Sequence, residues 1–237
     1  MIKQALKKLT PNALLKWRSS LIAKRRQKEF SDKSAAETFS EIYASRLWGD
    51  DPGGYCSGEG SDEIFARQYA SLIREFISEN GVNRIVDLGC GDFRVASEFV
   101  SDEIDYTGID IVAPLIERNQ ELYGSPRVRF HCLDIAEDQL PDGDACLIRQ
   151  VLQHLSNAEI AKILANCSKY RFLIVTEHYP SPDTKVTPNI DIPHGPGMRV
   201  YYDSAVFLDQ PPFSLKNVSL LLDVEAEDKT RIKSFLV

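Results

Sequence analysis

A chain of 237 residues, 43% hydrophobic and 27% charged, holds enough apolar material for one α/β domain and a short appendage. No run approaches the ~18 apolar residues that span a bilayer, and no apolar stretch with a small-residue cleavage site marks a secretory signal at the N-terminus. The net charge of −7 is uneven: residues 1–30 hold nine Lys or Arg against Glu29, leaving 19 basic and 34 acidic residues in the remainder. An acidic body argues against a nucleic-acid footprint.

In chain order, Thr10-Pro11 reads as an N-cap with proline at the first helical position. Leu14, Trp17, Leu21 and Ile22 then recur at helical spacing among Lys16, Arg18, Lys24, Arg25, Arg26 and Lys28. Residues 1–35 are therefore expected to form a basic amphipathic helical segment, and residues 36–237 the main domain. The segment either docks on the body or meets a partner or an anionic membrane surface. "WGDDPGGYCSGEGS", residues 48–61, reads as a loop. Ser61 caps the next helix, whose stripe is Ile64, Phe65, Tyr69, Leu72, Ile73, Phe76 and Ile77 and whose end is Gly81.

Beyond this the chain alternates. Strands are expected at 83–88, 105–111, 127–133, 144–150 and 171–177, with helices after most of them. Ser156-Asn157-Ala158-Glu159 is a capping box ahead of Ile160, Ile163 and Leu164. Repeated βα units predict a doubly wound, mostly parallel sheet. Residues 180–213 hold prolines and glycines without period, and a loop of that length is usually functional. "VSLLLDVEAEDKTRIKSFLV" then predicts an antiparallel strand pair. The five cysteines (Cys56, Cys90, Cys132, Cys146 and Cys167) include no C-x-x-C pair. Neither a zinc site nor a disulfide framework follows, no metal is expected, and a reducing cytoplasm is.

The informative stretch is "VDLGCGDFRV", residues 86–95. In a doubly wound sheet, ligands bind beyond the carboxyl ends of the strands. Gly89 and Gly91 let a ligand lie against the main chain. Gly89-x-Gly91-x-x-Arg94 lacks the third glycine of a dinucleotide fingerprint, and Asp92 at the expected helix start would repel a pyrophosphate. Asp87 beside the turn favours a cationic ligand.

Here the chain resembles the class I S-adenosylmethionine-dependent methyltransferases, whose first motif, D-x-G-x-G, is matched by Asp87-Leu88-Gly89-Cys90-Gly91. Asp110 in "YTGIDI", with Ile111, matches the acid that ends strand two and binds the ribose hydroxyls. Asp134 in "FHCLDI", with Ile135, matches the acid near the adenine amino group. Gln150 and Val151 stand where the family contacts the cofactor's amino-acid part, and Ser57 and Gly58 belong to a loop expected to fold over it. The resemblance covers residues 83–178 by motif and reaches Val237 by topology. It implies a Rossmann-like sheet with N-terminal helices, and S-adenosylmethionine as cofactor.

An alcohol acceptor needs a base, and histidine suits neutral pH. His131 reads as a packing residue inside strand three. His154 and His178 both follow strand ends; His154 is the first choice as base and His178 the second, His178 pairing with Glu177 to recognise the acceptor. His194, Arg199 and Tyr201, with Tyr202 beside them, are expected to grip an anionic or sugar-like acceptor. The stretch from Ile192 to Phe213 resembles segments of bacterial methyltransferases encoded near surface-polysaccharide genes, which implies O-methylation of a sugar or sugar phosphate. Two other classes share this architecture: a nicotinamide-dependent oxidoreductase, opposed by the missing glycine and Asp87, and a catalytically silent binding module. The expected location is the cytoplasm, with residues 1–30 a candidate contact to the inner face of the membrane.

Overall fold

The computed structural model describes residues 29–30, 32–49, 55–58, 63–226 and 228–237. The expected helix over residues 10–28 and its contacts lie outside the described residues, as do Gly60 and the Ser61 cap. The first described helix, α1 (Ala35–Ala44), opens on a capping box between Ser34 and Glu37. α2 spans Glu63–Asn80 and ends at Gly81, whose φ of +61° is the left-handed conformation that terminates helices.

The sheet strands are β1 (Arg84–Leu88), β2 (Asp105–Asp110), β3 (Val128–Cys132), β4 (Ala145–Arg149), β5 (Phe172–Tyr179), β6 (Ser219–Glu225) and β7 (Arg231–Leu236). Their order is β3-β2-β1-β4-β5-β7-β6. The first five pair in parallel, and β7 runs antiparallel between β5 and β6. The strand order reverses between β1 and β4, and a crevice opens there at the strands' carboxyl ends.

Period-two alternation builds both cores. Ile85, Leu147 and Ile174 turn to one face, against Tyr69, Ile73 and Phe76 of α2. Val86, Leu88, Cys146, Ile148 and Val175 turn to the other, against Ile160, Ile163 and Leu164 of a helix at Asn157–Asn166 (α4). The Ser156–Glu159 capping box begins α4 as expected. Each fully buried Ile or Leu here contributes roughly 1.5–3 kcal/mol.

Two expectations are corrected. No α-helix follows the glycine turn; only a 3-10 turn at Ala96–Glu98 does. Asp92 accepts the Arg94 amide at 3.2 Å, and Phe93 takes a φ of +66°, so the backbone turns instead of coiling. His131 is exposed, because β3 is an edge strand with one face uncovered. α3 (Ala113–Tyr123) connects β2 to β3. All five cysteines are free thiols. No helix among the described residues is long and apolar enough to cross a membrane.

Candidate active site

The carboxyl ends of β1, β2, β4 and β5 open into a cavity of about 970 Å³, the upper end of the range for small-molecule sites. Its floor is the glycine turn. Gly89 and Gly91 hold φ of +73° and +55°, and the Gly89 and Cys90 amides donate to the Ile109 carbonyl at 2.7 and 2.9 Å. A Cβ on Gly89 would meet Val151 Cγ2 at 2.3 Å, and one on Gly91 would meet Ser57 Oγ at 2.4 Å. The glycines therefore admit the neighbouring protein chain as well as a ligand, and a larger residue at 89 would displace Val151.

Three carboxylates line the cavity around this turn: Asp87, Asp110 and Asp134. Asp87 accepts the Tyr106 hydroxyl at 2.7 Å, and burial pushes its carboxyl up to about 6. Asp110 accepts the Gly91 amide at 3.2 Å and the Val112 amide at 3.1 Å; burial raises it too, to about 6. Asp134 accepts the Ala136 amide at 2.9 Å. Ile111 and Ile135 line the same wall, with Cys90 in the turn. Ser57 and Gly58 close over it: Ser57 Oγ accepts the Asp92 amide at 3.1 Å and stands 3.1 Å from the Tyr43 hydroxyl.

The segment after β4 carries the opposite wall. Gln150 sits at a φ of +59°, its Oε1 accepts Gln153 Nε2 at 2.6 Å, and its Nε2 is buried without a hydrogen-bond partner. The Gln153 Oε1 is likewise unpartnered. His154 lies in the 3-10 turn Leu152–His154 and lines the cavity. Its Nδ1 donates to the Gly197 carbonyl at 3.1 Å, Gln153 Nε2 stands 3.3 Å from its Nε2, and its ring meets Trp48 at 5.0 Å. Burial pushes its pKa down to about 4.

Three expected site residues serve the scaffold instead. Glu177 is buried and accepts the amides of Val151, Leu152 and Gln153 at 3.1, 2.8 and 3.1 Å; it does not line the cavity. Burial outweighs those bonds and raises it to about 7. Arg199 is fully buried, donates to the carbonyls of Leu152 and Ile190 and to Asn157 Oδ1, and does not line the cavity. His194 lies outside the cavity, between Glu159 Oε1 at 2.7 Å and the Lys33 carbonyl at 3.0 Å. Glu177 and Arg199 thus fasten the 150–154 turn from both sides, one by its amides and the other by a carbonyl.

His178 and Tyr201 do line the cavity. Sequence reasoning missed Phe39, Tyr43 and Trp48 as wall residues, although Phe39 and Tyr43 stand four apart on one helix. It also missed the β6–β7 hairpin, which contributes Glu225, Asp228, Thr230 and Ile232.

Residues 85–170 match the family model described as a methyltransferase domain. An uncharacterized methyltransferase of Mycobacterium tuberculosis is 29% identical over 83 residues, 34% of this chain and 42% of that protein. The match therefore spans less than half the length of the curated relative. Among solved structures, the N-methyltransferase NodS of Bradyrhizobium japonicum WM9 with S-adenosylhomocysteine superposes with a TM-score of 0.56 at 14% identity, over 84% of this chain and 98% of that one. Magnesium protoporphyrin IX methyltransferase of Synechocystis PCC 6803 with S-adenosylmethionine gives 0.54 at 15%, over 86% and 97%. Strand order, glycine turn and strand-end acids define a class I methyltransferase fold. The family match makes residues 85–170 similar to methyltransferase domains, and the two solved structures of this fold named above hold S-adenosylhomocysteine and S-adenosylmethionine.

The residues present fit that cofactor. A glycine cradle with three carboxylates on the same cavity lining suits a ligand with a ribose, an ammonium and a sulfonium, and repels one with a pyrophosphate.

Proposed function

We propose that this chain transfers the methyl group of S-adenosylmethionine to a hydroxyl of a small, uncharged, polyhydroxylated acceptor, a sugar. Asp87, Asp110 and Asp134 hold the cofactor with the glycine turn, and the bound cofactor supplies an electrophilic methyl group. The carrying observation is the lining beyond those carboxylates. It combines the aromatic rings of Trp48 and Tyr201 with Gln150, Gln153 and His178, which offer donors and acceptors to hydroxyls. Glu225 and Asp228 share this wall with Arg149, whose guanidinium stacks over the Tyr69 ring, and the cations expected to grip an anion, Arg199 and His194, are engaged elsewhere. That balance supports a neutral sugar over a sugar phosphate. A place in surface-polysaccharide synthesis rests on the resemblance of residues 192–213 alone.

Positioning supplies much of the rate in methyl transfer. The 150–154 turn, held by Glu177 and Arg199, is the rigid element against which an acceptor would be placed. Calorimetry with S-adenosylmethionine, S-adenosylhomocysteine and NAD, followed by turnover of labelled cofactor on a panel of p-nitrophenyl glycosides and amines, tests the reading. Binding of the first two ligands and label on a glycoside are expected. NAD binding, label on amines alone, or tight cofactor binding without any turnover would each replace it.

A further inference from the structure

Two histidines line the cavity, and their hydrogen bonds set opposite tautomers. At His154 a carbonyl takes the Nδ1 proton and an amide NH2 stands against Nε2, so both ring nitrogens are engaged. At His178 the arrangement differs. Its Nε2 stands 2.6 Å from Thr230 Oγ1, and the Thr230 hydroxyl donates to Asp228 Oδ1, which also accepts the Thr230 amide at 3.1 Å. A hydroxyl has one proton. With that proton on Asp228, Thr230 Oγ1 can only accept, so the imidazole must carry its proton on Nε2. The Nδ1 lone pair is left without a protein partner among the described residues.

We propose that His178 is the base of the transfer, held in the Nε2–H tautomer by a relay through Thr230 to Asp228, with Nδ1 taking the acceptor's proton. The inference rests on the sugar-hydroxyl reading above. The acceptor oxygen bonds to the methyl carbon as its proton passes to Nδ1. The carbon–sulfur bond breaks with its electron pair left on sulfur, and the imidazolium then returns the proton to water. Thr230 and Asp228 are positioning residues, delivered by the hairpin between β6 and β7. Burial holds His178 below the usual imidazole range while Asp228 opposes that shift, so the ring is neutral and able to accept at pH 7. The ionisable groups around it are Asp228 on the hairpin, Glu225 and Arg149 on the cavity wall, His154 across the cavity, and buried Glu177 beside it on β5.

The test measures His178→Asn, Thr230→Val, Thr230→Ser and Asp228→Asn on the glycoside that the parent methylates. Nitrogen NMR of the S-adenosylhomocysteine-bound protein reads the His178 tautomer. His178→Asn should lower kcat by roughly 10²–10⁴ with S-adenosylhomocysteine affinity unchanged. Thr230→Val should lose much of kcat, and Thr230→Ser should restore it. Asp228→Asn should move the acidic limb of the kcat/KM profile to lower pH, because the imidazolium loses the carboxylate charge that favours it. An Nδ1–H tautomer, or His178→Asn turnover within a few-fold of the parent, overturns the relay alone. A parent inert on every glycoside overturns the acceptor reading and the relay with it.

Discussion

Adjacent side chains on a strand point to opposite faces, which is why Glu177 and His178 on β5 do separate work. Glu177 turns to the 150–154 amides and His178 to the hairpin. The alternation was available in the sequence, so pairing these two on one acceptor could have been ruled out there. That Glu177 and Arg199 would be buried fasteners could not, because their partners are backbone groups brought near only by the fold. Asp87, Asp110 and Asp134 were legible for the opposite reason: each ends a strand, and strand ends converge. Glu177→Gln places an NH2 against an amide N–H, and should cost about 1–3 kcal/mol, read as a lower denaturant midpoint with an unchanged slope. Asp110→Ala should weaken S-adenosylmethionine binding roughly 10- to 150-fold, from about 1.5–3 kcal/mol of charge-assisted hydrogen bonding; an unchanged calorimetric affinity in the folded variant would contradict this. Acidity acts on the same carboxylates. Asp87 and Asp110 are raised to about 6 by burial, so they are ionised at pH 7.5 and largely neutral at pH 5. Affinity for the cationic cofactor should therefore fall at least roughly tenfold between these values, and a flat profile would mean that neither acid meets the cofactor's charge.

At the level of elements, all seven strands and the two helices α2 and α4 were readable, because apolar runs alternate with capped amphipathic stretches. The turn after β1 was not. Its path is set by Asp92 binding the Arg94 amide and by Phe93, whose ring packs among Tyr106, Tyr123 and Phe130. Tertiary packing there overrides the usual βα rhythm. The long segment after β5 was recognised only as irregular, and its order also comes from side chains. Buried Asn189 takes the Phe207 amide on Oδ1 at 2.7 Å and gives Nδ2 to the carbonyls of Phe207 and Pro211, each at 2.9 Å. Such bonds replace a ladder without leaving a periodic signature. The cap of α4 offers a clean measurement. Ser156→Ala removes the hydroxyl that accepts the Glu159 amide at 3.2 Å, and should cost about 1 kcal/mol. Because Ser156 does not line the cavity, urea denaturation should report the loss while cofactor affinity stays near the parent value.

For the whole molecule, the basic head and acidic body divide the charge, and the described site draws only on the body. A chain shortened to residues 29–237 keeps Phe30, which is buried, and should bind S-adenosylmethionine as the full chain does. If the head meets anionic lipid, each Lys or Arg adds up to ~1 kcal/mol, and the full chain should co-sediment with phosphatidylserine vesicles while the shortened one does not. Equal sedimentation would remove the membrane role. The placement of β7 inside β6 also bears on how the protein is made. During synthesis β1–β5 leave the ribosome first, and the cofactor floor can assemble while the β5 edge has no neighbour. β6 emerges next but has nowhere to attach until residues 231–236 arrive to lie between them. A nascent chain paused at that stage exposes an open strand edge, the kind that recruits other chains. Chaperone demand should therefore peak late in translation, and the wall bearing Thr230 is the last part of the site to appear.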